Sequence, residues 1–173
     1  MKIAGFTYYE GQYRLVMKSD SSLLNQGKPF FLPAWSNEVV MQRCYVVRIC
    51  RLGRSIEPRY ASRYYDAVTE GIDFIAADLW HSGALTEAMA FDGSLCVGEW
   101  QTPAQWTQLQ KEEGVPEGTL AIADAIAQIS RIMTLRMGDL LFIDYAIKAQ
   151  SLQRDQIIRY PDNEQPLLYC KIK

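Results

Sequence analysis

The chain has 173 residues, 49% of them hydrophobic and 22% charged, which allows one domain with a complete core and excludes a disordered or collagen-like polymer. Residues 1–173 are therefore read as a single domain. The formal net charge of -2 with scattered basic residues excludes the concentrated cationic footprint of a nucleic-acid partner, and no apolar run reaches the roughly 18 residues of a membrane span.

Residues 2–18 read as two strands around the turn Glu10-Gly11-Gln12, because aromatic and β-branched residues flank a glycine. Ser19 to Lys28 is polar and is expected to form a loop leading to Pro29-Phe30-Phe31-Leu32-Pro33. Val39 to Arg51 alternates with the period of a strand covered on both faces. Gly53 ends it. Ser55 as cap and Pro58 in the first turn then predict a helix running to Thr69.

After Gly71 a second apolar strand, Ile72 to Ala77, carries one acid in its middle, Asp73. A strand region follows between Phe91-Asp92-Gly93 and Gly98, then a polar helix from Thr102 to Glu112 with Pro103 in its first turn. Ile122, Ile126, Ile129 and Met133 mark one apolar helix face within Thr119 to Met133, with Thr119 as its expected cap. Leu140 to Ile143, Gln156 to Tyr160 and Leu167 to Ile172 read as strands. Strands outnumber helices, which gives an α+β, mainly β domain.

Cys44, Cys50, Cys96 and Cys170 lie far apart with no C-x-x-C spacing, so reduced and mostly buried thiols are expected. The start, Met1-Lys2-Ile3-Ala4-Gly5, opens directly into a strand pattern without an export signal, and a cytoplasmic location is the expectation.

Several of these segments resemble the fumarylacetoacetate hydrolase family in order and spacing. Leu15-Val16-Met17-Lys18 followed by Leu32-Pro33 is similar to the family's L-F-x-K and x-x-L-P, and Arg51-Leu52-Gly53-Arg54-Ser55-Ile56 to its K-x-G-R-x-I. Asp73 falls on the aspartate of N-D, Phe91-Asp92 on K-S-F-D, and Ser130 to Asp139 on S-x-x-x-T-L-x-P-G-D. The resemblance implies a roll of mixed β-sheets with peripheral helices, a homodimer, and a small organic acid as ligand. In active relatives it implies magnesium, held by an E-x-E on one strand and the aspartate on the next.

In this chain the two glutamate positions are Gln42 and Cys44, so only Asp73 of the three carboxylates remains. A neutral amide, a thiol and one carboxylate make a poor magnesium site, and no cofactor is expected. A softer metal held by Cys44, Asp73 and the sole histidine, His81, is the minor alternative. Met89 stands where the family has the lysine of K-S-F-D, no histidine lies in Thr7 to Gly11, and Ile143-Asp144-Tyr145-Ala146 replaces T-G-T-P.

Lys18 and Asp92 match family positions that touch substrate, although a strand-end lysine reads first as solvated. Asp144 is expected to repel an anionic substrate, and His81 reads as a solvated loop residue. Asp73, without its cation, is expected to be dispensable, with Asp73→Asn neutral or stabilising.

Three functions compete. The first is a non-catalytic member that keeps the scaffold for ligand binding or assembly. The second is an active hydrolase, isomerase or decarboxylase acting on a 2-oxo or 1,3-dicarbonyl acid, with Asp73 as base and Cys44 or His81 beside it. The third is a structural subunit, suggested by the ten tyrosines and four tryptophans.

Overall fold

The structure is a computed structural model that describes residues 1–162 and 165–173. The expected first hairpin is present as β1 (Ile3–Tyr9) and β2 (Gln12–Lys18). Glu10 and Gly11 turn it with φ of 53° and 82°, the left-handed pair that matches the twist of a tight hairpin. The polar stretch after it is more than a loop. It holds a 3-10 turn, Asp20–Ser22, and a short strand, β3 (Leu23–Asn25).

β4 (Val39–Ile49) pairs along its whole length with β5 (Tyr65–Ala76). The helix expected from Ser55 to Thr69 is therefore corrected: only Pro58–Arg63 winds, as a 3-10 helix, and the chain is already strand at Tyr65. Ser55 has φ 52° and is not the cap, a place taken by Glu57. The aromatic and β-branched residues from Tyr65 to Thr69 suit a pleated surface, and β4 offers them a complete ladder.

Two one-turn helices follow, α1 (Ala77–His81) and α2 (Leu85–Met89), each too short to show a periodic signal. After β6 (Leu95–Val97), α3 (Pro103–Glu113) starts on a full capping box between Thr102 and Gln105. α4 (Ile122–Ile132) is capped at Ala121 without a side-chain bond. Thr119 is not its cap, since its hydroxyl accepts from the Ala146 N–H at 3.1 Å. β7 (Leu140–Asp144), β8 (Gln150–Ser151), β9 (Ile157–Tyr160) and β10 (Leu168–Lys171) complete the chain.

Among the described residues the main sheet runs β2-β1-β7-β4-β5-β6-β3, with β8 also on β4 and a separate β9-β10 hairpin. β1 with β7 and β3 with β6 are parallel and the other pairs antiparallel. This is the mixed-sheet, mainly β architecture with peripheral helices.

Side chains alternate between the two faces of the sheet with period two. Tyr45, Val47 and Ile49 of β4 pack with Ile126 and Ile129 of α4 and Trp106 of α3. Val40, Cys44 and Val46 face the other way, onto Trp80, Ala88 and Met89 of α1 and α2 and onto Phe142. A third cluster joins Phe30, Phe74 and Met41 to Ile158, Leu168 and Cys170 of the C-terminal hairpin. Among the described residues no helix is long and apolar enough to cross a membrane.

Candidate functional site

The face that carries Val40, Cys44 and Val46 also carries Gln42, because even-numbered residues of β4 share it. On β5 the same parity argument selects Asp73, since its neighbours Ile72 and Phe74 belong to the opposite side with the C-terminal hairpin. Gln42 stands directly across from Asp73, and Cys44 from Gly71 on one side and Asp144 on the other. Thus the three positions singled out by spacing, Gln42, Cys44 and Asp73, do share one face. All three are buried.

Charge at this face comes from a strand that reads as ending in water. The Lys18 side chain, at the end of β2, has 0% of its surface exposed and places Nζ 2.8 Å from Asp73 Oδ1, itself 0% exposed. That corrects the expectation of a solvated lysine. The ammonium donates to the Met89 carbonyl at 2.6 Å and to Ser94 Oγ at 3.1 Å, and lies 5.4 Å from the centre of the Phe142 ring. The contact with Asp73 is a close buried ion pair, and Lys18, Thr7 and Asp144 all favour the charged carboxylate. Burial pushes the Asp73 carboxyl up, and Lys18 opposes the push.

Asp144 is the second acid. It accepts from the Thr7 hydroxyl at 3.0 Å and the Tyr8 N–H at 2.8 Å, both through Oδ2, while Oδ1 is buried without a partner. Its pKa lies well above the ordinary carboxylate range, first from burial and then from the neighbouring charge of Asp73. Asp144 is therefore fixed inside the sheet instead of facing a substrate cleft as expected.

Gln42 closes the layer. Its amide nitrogen lies within donor distance of three carbonyls, Tyr8 at 3.1 Å, Tyr145 at 2.9 Å and Ile147 at 2.6 Å. Burial, with help from Asp144 and Asp73, pushes the Cys44 thiol well up, so it is a neutral packing group and a poor nucleophile. His81 does not join these residues. Its Nε2 lies 3.0 Å from Glu10 Oε1, with both side chains about half exposed. Asp92 is exposed too, on the rim of a separate hollow with Phe31 and Trp35.

Close by lies a cavity of about 410 Å³, lined by Tyr8, Tyr9, Glu10, Glu38, Ile147 and Lys148 among others. Two of these, Tyr8 and Ile147, offer the carbonyls that Gln42 engages. Gln42, Cys44, Asp73 and Lys18 do not line it. The cavity is bounded by the Tyr8 to Gly11 turn and the segment after Tyr145, while the charged layer is sealed behind them.

A divalent cation of the hard type requires several oxygen ligands carrying net negative charge. Gln42, Cys44 and Asp73 make a poor site for one: the Gln42 amide oxygen, buried without a partner among the described residues, carries no net charge, the thiol keeps its proton, and the carboxylate is matched by an ammonium already beside it. Among the described residues no set of three His, Cys, Asp or Glu side chains is placed to hold a metal ion.

Reasoning from sequence missed Thr7 and the burial of Lys18 and Asp144. A signal existed: Leu15-Val16-Met17-Lys18 and Leu140-Leu141-Phe142-Ile143-Asp144 are both apolar strands ending on a charge, and Asp73 interrupts a third. Buried charges of opposite sign find one another.

No protein-family model matches the chain, and no curated protein matches it in sequence. Solved structures do. A fumarylpyruvate hydrolase from Pseudomonas aeruginosa, in complex with Mn2+ and pyruvate, superimposes with a TM-score of 0.76 at 14% identity, over 99% of this chain and 89% of that one. A 2-hydroxyhepta-2,4-diene-1,7-dioate isomerase from Mycobacterium marinum gives 0.77 at 17% identity, over 99% and 73%. A 5-carboxymethyl-2-hydroxymuconate delta-isomerase from Mycobacterium smegmatis gives 0.78 at 14%, over 99% and 76%. The chain thus has the fold of these hydrolases and isomerases, which is the fold implied by its resemblance in sequence to the fumarylacetoacetate hydrolase family.

Proposed function

We propose that this protein is a non-catalytic holder of the fumarylacetoacetate hydrolase fold, which keeps the scaffold for binding a ligand after its reaction centre has been replaced by internal packing. One observation carries the reading: the ammonium of Lys18 sits 2.8 Å from Asp73 with no exposed surface on either side chain. A base that abstracts a substrate proton must be reachable by that proton, and Asp73 is sealed. The neutral thiol of Cys44 and the distant pairing of His81 with Glu10 remove the two side chains weighed as its assistants.

The Mn2+ and pyruvate seen with the Pseudomonas aeruginosa hydrolase supply the test. Purified protein is incubated with fumarylpyruvate and excess Mn2+ or Mg2+, and loss of substrate absorbance is followed. The expected result is a rate equal to that of buffer, and no saturable heat on titration with either ion. Turnover that Asp73→Asn abolishes would overturn the reading in favour of an active enzyme.

A further inference from the structure

We propose that the cavity bounded by Tyr8, Tyr9 and Lys148 is a binding site for a small organic cation, a primary or quaternary ammonium, in place of an organic acid. The proposal rests on the non-catalytic reading of the interior and names the ligand class of the cavity left outside it.

The cavity has a size suited to a small molecule, about 410 Å³. Its lining includes two carboxylates, Glu10 and Glu38, against one ammonium, Lys148. Glu10 is engaged by His81 at 3.0 Å. The Glu38 carboxylate has no hydrogen-bond or ion-pair partner among the described residues, so its charge is available to a ligand.

Tyr9 shows where the negative end lies. It lines the cavity together with both acids, and its phenol is pushed up first by burial and then by the Glu38 and Glu10 carboxylates. The ring is held edge-on to Trp80 at 5.4 Å and packs against His81 at 6.0 Å. A supported aromatic ring with carboxylates beside it is attractive to an ammonium through the ring quadrupole and through charge, and the effect grows as the cation is desolvated. An anion placed there would meet the unpaired Glu38 carboxylate. The Gln42 layer behind the cavity gives an anion no compensation, since Lys18 does not line the cavity and is matched by Asp73.

The test uses uniformly 15N-labelled full-length protein and four probes: choline, butylammonium, 3,3-dimethyl-1-butanol as the neutral isostere of choline, and pyruvate. Saturable amide shifts at Tyr9 to Gly11 and Ile147 to Ala149 are expected with at least one of the two cations. The neutral isostere should bind at least fivefold more weakly than choline if choline is the cation bound, and pyruvate should leave these amides unmoved. Glu38→Gln, at an exposed position where folding is not at stake, should weaken the cation about tenfold, and Lys148→Gln should strengthen it.

The proposal is overturned if neither cation binds, if pyruvate binds more tightly than both, or if Glu38→Gln leaves cation affinity unchanged. The same samples assayed with fumarylpyruvate and Mn2+ separate the two readings. Turnover with intact cation binding defeats only the non-catalytic reading, and absence of both defeats only this one.

Discussion

Lys18 Nζ and Asp73 Oδ1 meet at 2.8 Å in the interior of the sheet, from β2 and β5, with neither side chain reaching solvent. An ion pair so placed contributes little net stability relative to apolar residues of the same shape, yet breaking it from one side is costly. Lys18→Met should therefore destabilise by about 3–5 kcal/mol near neutral pH, because Asp73 is left as an unmatched buried charge. Urea unfolding measures it. The loss should shrink toward acid, where Asp73 can be protonated; a loss under about 1 kcal/mol at pH 7 would mean that the ammonium is not buried in solution.

Asp73→Asn should also destabilise, against the sequence-based expectation of a neutral or favourable change. The loss should be smaller than for Lys18→Met, because Asp144 can ionise as a replacement counter-ion once the repulsion from Asp73 is gone. Combining Asp73→Asn with Asp144→Asn removes that escape. The double variant should be less stable than the sum of the two single changes allows, by urea denaturation on all four proteins. Simple additivity would show that the two acids do not communicate.

The pH dependence of Asp144 has a definite sign. Its folded-state pKa is raised, so the folded state holds a proton that the unfolded chain has released. The stability linked to that proton is complete below the ordinary carboxylate pKa and is lost as pH rises through the raised folded value. Asp144→Asn mimics the protonated form and keeps both hydrogen-bonding roles of the group. It should become more stable relative to the parent as pH is raised from 5 to 8, and comparison of urea midpoints at the two values checks it. A parent and variant that run parallel with pH would refute the assignment.

Restoring two acidic ligands by Gln42→Glu with Cys44→Glu should fail at the level of folding. Cys44 packs on Gly71 so closely that a Cβ at Gly71 would stand 2.8 Å from its sulfur. A longer, charged side chain has no room there, and Cys44→Glu should cost more than about 4 kcal/mol. Circular-dichroism melting of soluble protein is the check. A well-folded double variant would show that β4 and β5 are further apart than described.

Tyr13 ties the polar layer to the helical side. Its hydroxyl donates to the Asp144 carbonyl at 2.7 Å and accepts from the Leu120 N–H at 3.1 Å. Tyr13→Phe should cost about 1–2 kcal/mol, since both backbone partners then need new ones. Thermal unfolding reads the loss, and an unchanged melting temperature would mean that water replaces the hydroxyl.

What was legible in the sequence came from the resemblance and from strand geometry together. The resemblance to the family set Gln42, Cys44 and Asp73 together, and the period of two on β4 put the first two on one face, so the relation among the three was readable in advance. What was not legible depended on partners distant in the chain. The segment before β5 carries a helix-like start at Ser55 and Pro58, but pairing with β4 overrode it. Lys18 at a strand end resembles a surface residue until Asp73, Met89 and Ser94 are brought around it. Short helices such as α1 and α2 have too few turns to leave a periodic trace.

The parallel pairing of β1 with β7 sets an order of events during synthesis. Ile3 to Phe6 lies beside Leu140 to Ile143, so β1 must wait for the much later β7 before its second edge is covered. Until then the β1-β2 hairpin carries an open apolar edge on the ribosome, and long-range pairing of this kind is slow and exposed to aggregation. Translational pausing before Leu140 should prolong that exposure, and nascent chains stalled there should be held by chaperones where the released full chain is not.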